Sequence, residues 1–279
     1  MSRLFVLGSG SKGNAFAVDT AEGVVMVDVG FGMKTLARRA EQAGLPLDRV
    51  MAIVLTHEHG DHTAGAVALA DRTGAPIICS KGTWRGLQDP PEVPHHILRP
   101  AHPLRLGSLV IHSCLTTHDA NEPLAIAIEA GTTRFAFATD IGRSTAGVRY
   151  LLRHSHAVVI ESNYDEVMLR TGRYPPSVQQ RIAGSSGHLS NRAAAELVAD
   201  VIHEGLAAVV LAHLSQQCNT RERARETVAP VLRARGFRGE LLVAAQDEPL
   251  PPITVWAAPC PDQGELGLRW DEASPVRPG

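Results

Sequence analysis

Paired cysteines are the first thing this sequence does without. Its four cysteines, Cys79, Cys114, Cys218 and Cys260, lie far apart with no C-x-x-C spacing. That excludes a disulfide framework and a cysteine-rich zinc site, and it reads as the reduced thiols of a cytosolic protein. Long apolar runs are missing too. No stretch approaches the length that crosses a bilayer, and Leu4-Phe5-Val6-Leu7 is far too short for the core of a secretion signal. A strong charge of either sign is also absent. The net charge is −2, so no global basic field announces nucleic acid, although one basic face fits within a balanced total. No low-complexity linker divides the chain early. With 279 residues and 44% hydrophobic content it can bury a full core. We expect one domain over residues 1–257 and a loosely ordered tail over 258–279, where proline and charge rise and periodicity vanishes.

What the chain does have is histidine, thirteen of them and unevenly spread. Three fall within Leu55-Thr56-His57-Glu58-His59-Gly60-Asp61-His62, directly after an apolar run at 50–55 that reads as a strand. A small-residue helix is expected over about 64–71, closed by Gly74. His57 and His59, two apart on an extended chain, point the same way and suit one ion. Asp61 and His62 sit where the chain turns into the helix and suit a second.

The same plan recurs along the sequence. Strands are expected over 4–7, 15–19, 23–27, 76–79, 109–115, 124–128, 134–138, 157–160, 206–212, 241–244 and 253–256. Several deliver a polar group at their ends: Asp28, His118, Asp140, Glu161 and His213. Helices are expected with Leu36, Ala40 and Ala43 on one face, over 191–204 behind a Ser190 cap, and over 220–235 with a kink or early stop at Pro230. Residues 170–187 read as a polar, basic connection, and His95, His96 and His102 as surface residues without ligand spacing.

Strands carrying ligands at their ends, with helices between them, imply two mixed sheets with helices outside, an α/β sandwich. His57, His59, Asp61, His62, His118, Asp140 and His213 are the groups expected to converge. They exceed what one four-coordinate ion can use, so two divalent ions of zinc, manganese or iron are expected, about 3.5–4 Å apart. The loop Gly8-Ser9-Gly10-Ser11-Lys12-Gly13-Asn14 spells G-x-G-x-x-G after a strand, but another strand-like segment follows where a dinucleotide fold needs a helix. Two readings stay open for it: a glycine-rich hairpin loop, or a loop whose amides touch a substrate phosphate.

T-H-E-H-G-D-H (56–62) after V-D-V-G (27–30) resembles the metallo-β-lactamase superfamily, with its αββα sandwich. In that fold the aspartate matching Asp28 supports the metal loop, and His118, Asp140 and His213 match the isolated histidine, the bridging aspartate and the final histidine. G-S-G-S-K-G-N (8–14), T-H-D-A-N-E-P (117–123), E-S-N-Y-D (161–165), G-R-Y-P (172–175) and G-H-L-S-N (187–191) narrow the resemblance. They are similar to the YycJ (WalJ) group of small metallo-hydrolases, assigned as single-strand DNA exonucleases; many of its members carry histidine where this chain has Tyr164. The resemblance implies a 5′→3′ exonuclease on single-stranded DNA in which a metal-bridging hydroxide attacks phosphorus and Asp61 orients it. His188 and Glu161 match a pair that protonates the leaving oxygen in tRNA-processing relatives. Arg173, Ser11 and Asn14 are the candidate substrate contacts. Two other readings share the ligands: hydrolysis of a thioester, lactone or lactam, and a non-catalytic nucleic-acid or signalling accessory.

Overall fold

A computed structural model describes residues 2–87 and 91–255 of the chain. In chain order its strands are β1 (Ser2–Gly8), β2 (Ala15–Asp19), β3 (Val24–Val29), β4 (Val50–Val54), β5 (Ile77–Cys79), β6 (His95–Ile97), β7 (Leu104–Leu106), β8 (Leu109–Leu115), β9 (Leu124–Ala130), β10 (Thr133–Ala138), β11 (Ala157–Glu161), β12 (Ala208–Ala212), β13 (Glu240–Val243) and β14 (Ile253–Val255). The helices are α1 (Met33–Ala43), α2 (Gly60–Thr63), α3 (Ala66–Thr73), α4 (Lys81–Gly86), α5 (Ala146–Leu152), α6 (Glu166–Thr171), α7 (Pro176–Ile182), α8 (Asn191–Ala199) and α9 (Arg221–Ala234).

Among the described residues the strands form two seven-stranded sheets, ordered β14-β1-β2-β3-β4-β5-β6 and β13-β12-β11-β10-β9-β8-β7. Each is antiparallel on one side and parallel on the other: β3, β4, β5 and β6 run parallel in the first, β10 to β13 in the second. Period-two alternation explains the layering. Leu4 and Val6 of β1 join the core between the sheets, while Phe5 and Leu7 lie on the outer face with Leu36 and Ala40 of α1. In β10, Phe135 and Phe137 point inward, and Ala136 and Ala138 lie under Val148 and Leu151 of α5. Phe16 and Phe137 meet across the sandwich at 5.8 Å between ring centroids. Each such side chain taken fully from water contributes about 1.5–3 kcal/mol. The expected αββα sandwich is the fold.

Some local expectations differ from what forms. The helical stretch starts earlier than expected, at Gly60, and is broken in two. A short α2 precedes the expected range, and α3 takes the place of the helix expected over 64–71. Gly65 breaks the stretch, because its amide donates to Val29 O and its Cα lies so close to Phe31 O that a Cβ would approach to 2.2 Å. The connection at 170–187 begins in the last turn of α6, whose start is capped by the Asp165 carboxylate, and contains α7, which opens with Pro176 in its first turn. The helix from Asn191 ends at Ala199 rather than 204, and His203 there turns the chain by bonding Ser155 O and the amide of Gly205. No early stop occurs at Pro230: α9 runs on to Ala234, the missing donor costing little because Glu226 and Pro230 face water. His95 and His96 form the edge strand β6, and His95 stacks on Trp84 at 3.8 Å. Trp256 and the tail expected over 258–279 lie outside the described residues. No helix among the described residues is long and apolar enough to cross a membrane.

Candidate metal centre

Five of the parallel strands, β3, β4, β10, β11 and β12, deliver polar side chains to one rim. Asp28 comes from the end of β3, His57 to His62 from the loop after β4, Asp140 from just past β10, Glu161 from the last position of β11 and His213 from just past β12. Three of these carry left-handed backbone: Asp28 at φ 59°, Asp140 at φ 54° and His213 at φ 53°. That conformation is uncommon outside glycine, and it swings the side chain off the strand direction into the space between the sheets.

Buried hydrogen bonds fix which nitrogen each imidazole presents. Asp28, fully buried, accepts from the Thr56 amide at 2.8 Å, from the Thr56 hydroxyl and from His62 Nδ1 at 2.8 Å. The Thr56 hydroxyl in turn lies 3.0 Å from His57 Nδ1. His118 Nδ1 donates to Gly187 O at 3.2 Å. With their Nδ1 protons committed, His57, His62 and His118 turn Nε2 inward as lone-pair donors.

Inward, the atoms crowd. His57 Nε2 and His59 Nδ1 stand 3.1 Å apart, nitrogen to nitrogen. His62 Nε2 lies 3.0 Å from Asp140 Oδ2 and 3.5 Å from Asp61 Oδ2, and His118 Nε2 lies 3.6 Å from Asp140 Oδ1. His213 Nδ1 is 3.2 Å from Asp140 Oδ1 and 3.1 Å from Glu161 Oε1, while its Nε2 is buried without a hydrogen-bond partner, Asp61 Oδ2 being 3.7 Å away. His188 Nδ1 reaches Glu161 Oε1 at 2.7 Å. Four overlapping groups of donor atoms result: His57, His59 and His118; His57, His62 and Asp140; Asp61, His62 and His213; and Asp140, Glu161, His188 and His213.

The electrostatics follow from this packing. Burial pulls the His57 imidazolium well below its ordinary range, with His62 beside it adding to the shift. Burial acts the same way on His62 and His213, but Asp28 and Asp140 raise the first well above the usual value, and Asp140, Asp61 and Glu161 push the second up to about 10. Burial would protonate Asp140, yet His213 and His62 hold it well below the carboxylate range, and His188 does the same more mildly for Glu161. Carboxylates are thus kept ionised inside the protein, where a charge needs a partner. His62 Nε2 and Asp140 Oδ2 at 3.0 Å share a positive charge, a proton on the raised imidazole in the protein alone. At neutral pH a bound metal would take that proton's place, and the imidazole-and-carboxylate donor set with the unpartnered His213 Nε2 fits divalent cations.

This geometry has relatives. Residues 24–214 match the family model described as a beta-lactamase superfamily domain. The chain belongs to the metallo-β-lactamase superfamily. An exodeoxyribonuclease YycJ of Bacillus anthracis is 34% identical over 255 residues, covering 90% of this chain and 97% of that protein. An exodeoxyribonuclease WalJ of Streptococcus pneumoniae is 28% identical over 229 residues, covering 80% of this chain and 85% of that one. The metallo-β-lactamase fold protein YhfI of Bacillus subtilis superposes with a TM-score of 0.66 at 17% identity, covering 90% of this chain and 99% of its own, a likeness of fold. The chain is accordingly a metal-dependent hydrolase of this superfamily, with histidine and aspartate clusters suited to metal.

The seven expected ligands and the Glu161–His188 pair stand together at this rim. Of the expected substrate contacts, Asn14 lies at this rim too, against His62 and Asp61, but not as a free group. Asn14 is fully buried and both ends of its amide are taken by protein atoms, so it has no atom left for substrate. Ser11 is exposed in the same loop, and Arg173 is exposed between α6 and α7 with no partner among the described residues. Tyr164 packs with Leu169 and Cys218 in a small apolar cluster beside the site. Sequence reasoning missed Ser9 and Thr56, whose hydroxyls hold ligand loops; Thr56 carried a signal in its place directly before His57.

Proposed function

We propose that the chain is a dinuclear metal-dependent phosphodiesterase that removes nucleotides from the 5′ end of single-stranded DNA. The observation that carries this reading is the Glu161–His188 pair, bonded at 2.7 Å and standing 3.5 Å from Asp140. An alkoxide leaving group needs a proton, and a thiolate leaving group does not, so an acid at this position favours phosphodiesters over thioesters. DNA and exonucleolytic action are supported by the names of the two relatives, each of which this chain covers over most of its length.

His57, His59 and His118 would hold one ion and Asp61, His62 and His213 the other, with Asp140 between them. When bound, such ions neutralise phosphoryl oxygens and acidify the attacking water. The protein's own groups do the rest. Asp61, a quarter exposed where His57, His62, Asp140 and His213 are buried, faces the substrate side and orients the attacking water. His188 spends Nδ1 on Glu161 and keeps Nε2 free, so Nε2 is the atom that hands a proton to the leaving 3′-oxygen. Glu161 holds the ring and favours its charged form. Arg173 and Ser11, exposed and without partners among the described residues, are the candidate contacts for flanking phosphates.

End-labelled DNA and RNA oligonucleotides, offered with a thioester and a lactam panel and with zinc, manganese or iron, test the proposal. Labelled mononucleotide should appear first from the 5′ end of single-stranded DNA. Thioester or lactam turnover without cleavage of any oligonucleotide overturns it.

A further inference from the structure

Within the glycine-rich loop at residues 8–14, Ser9 and Asn14 are buried and bond protein atoms, whereas Ser11 is exposed. The Asn14 side chain is fully buried, and its Oδ1 accepts from Ser9 Oγ at 2.7 Å and from the Gly10 amide at 3.0 Å. Nδ2 points at the other end of the site, 3.0 Å from His62 Nε2 and 3.4 Å from both the carbonyl and Oδ2 of Asp61. Ser9 Oγ, having given its proton to Asn14, accepts from the backbone amide of His213 at 2.8 Å. The Asn14 amide donates to Asp61 O at 2.8 Å, and Asn14 O accepts from Gly30 at 2.8 Å. One directed relay therefore runs His213 N–H to Ser9 to Asn14 to Asp61, with Asn14 Nδ2 packed beside His62 Nε2. It joins the ligand loop of the second sheet to the ligand loop of the first.

We infer that Ser9 and Asn14 are positioning residues that set the spacing of the Asp61, His62 and His213 ligand group, and so tune one ion's affinity without touching substrate. The inference rests on the dinuclear reading above. Two features support a built device. Each hydroxyl and amide in the relay has its direction fixed by its other partner, so no member can be reversed alone. The glycines allow the close approach: a Cβ at Gly30 would lie 1.7 Å from Asp61 O and 2.7 Å from Asn14 N, and one at Gly10 would meet the Gln246 side chain. Gln246 pins the same loop from the opposite side, through Lys12 N and Gly13 O, without reaching a ligand.

The test is metal affinity of the full chain by chelator competition, with melting of the stripped protein recorded in parallel. Ser9→Ala and Asn14→Ala should weaken one ion about 10–100-fold, the usual effect of losing a partner of a metal ligand, while the other ion binds as in the parent. Gln246→Ala should lower the melting temperature and leave both affinities in place. Ser9→Ala removes a single oxygen and no backbone freedom, so it serves if Asn14→Ala fails to fold. Parent-like affinity for both ions in Ser9→Ala overturns the inference, as does an equal loss in Gln246→Ala, which would make general loop rigidity the cause. A parent chain that binds one ion at saturation fails the dinuclear reading instead, and the unmutated arm reads that directly.

Discussion

Removing His188 and altering Glu161 should have separable effects, and the structure says why. Glu161 is fully buried and receives four hydrogen bonds. The amides of Ile141 and Leu189 give to Oε2, at 2.9 and 3.0 Å, while Nδ1 of His188 and of His213 face Oε1 at 2.7 and 3.1 Å. His188→Ala removes one of these donors from a partly exposed edge, and three remain. The carboxylate stays satisfied and every expected metal ligand keeps its place. Turnover of DNA should then fall by roughly 10²–10⁴, the worth of a positioned acid, with metal content unchanged. Glu161→Gln acts differently. An amide accepts at one end only, so if its oxygen keeps the two backbone amides, its NH₂ meets two ring nitrogens that were donors. Both rings must then give up the Nδ1 proton and carry hydrogen on Nε2 alone. For His213 that occupies the buried nitrogen left unpartnered and facing Asp61. Loss of a charge-assisted bond costs about 1.5–3 kcal/mol, or roughly 10–150-fold, and here it falls on metal binding as well as on turnover.

The assay pairs two substrates with metal analysis. Single-stranded DNA has a poor leaving group, whereas a nitrophenyl phosphodiester has one that departs without a proton. His188→Ala should be severely impaired on the first and much less on the second; Glu161→Gln should be impaired on both and should lose metal on dialysis. An equal loss by His188→Ala on both substrates would refute the leaving-group role. Retained metal in Glu161→Gln would refute the tautomer argument.

Four further outcomes are expected. Elemental analysis after gentle purification should find two ions per chain, and one at saturating metal would end the dinuclear reading. Asp28→Asn should cost about 10–100-fold in metal affinity, read by chelator competition, because Asp28 fixes His62 directly and His57 through Thr56. Gly30→Ala should destabilise by the upper end of the about 1–3 kcal/mol that overpacking costs, read by denaturant melting, since the atoms a Cβ would meet are backbone. Arg173→Ala should weaken DNA binding and lower the logarithmic salt slope by about 0.7, one phosphate's share on a single strand.

The candidate ligand cluster was legible because its chemistry is concentrated. Three histidines and an aspartate within six residues have no economical structural use, and that cluster gives meaning to His118, Asp140 and His213, each ambiguous by itself. β9 and β10 were legible through period-two alternation of large and small or polar residues, and β1 and β12 as short apolar runs, since both faces of those strands are covered. The short helices α4 to α7 were harder to see. Each is six or seven residues long, too short for a helical period to emerge, and each is set by a cap such as Ser80, Thr145 or Asp165 or by a leading proline. Asn14 was misjudged for a different reason. In a glycine-rich loop an amide looks free to meet a ligand, and only the fold reveals that both its ends are consumed within the protein.

The left-handed backbone at Asp28, Asp140 and His213 was not legible at all, and it ties fold to function most closely. Nothing in T-D, V-D or A-H as dipeptides requires φ near 55°. Each such residue costs about 1–3 kcal/mol relative to relaxed backbone, and a structure keeps three only if its surroundings impose them. Here the surroundings are strands almost entirely buried on both faces: β3, β11 and β12 expose no residue, and β10 exposes little. Strands held so firmly cannot yield, so the strain collects at the first residues past the core or at its margin. Those residues are the ones whose carboxylates and imidazole must turn inward across the gap between sheets. The two-sheet core therefore supplies more than support. Its rigidity holds imidazole nitrogens and carboxylate oxygens within 3.0–3.6 Å of one another, so the donor set is already assembled when cations arrive and little ordering is left to oppose their binding.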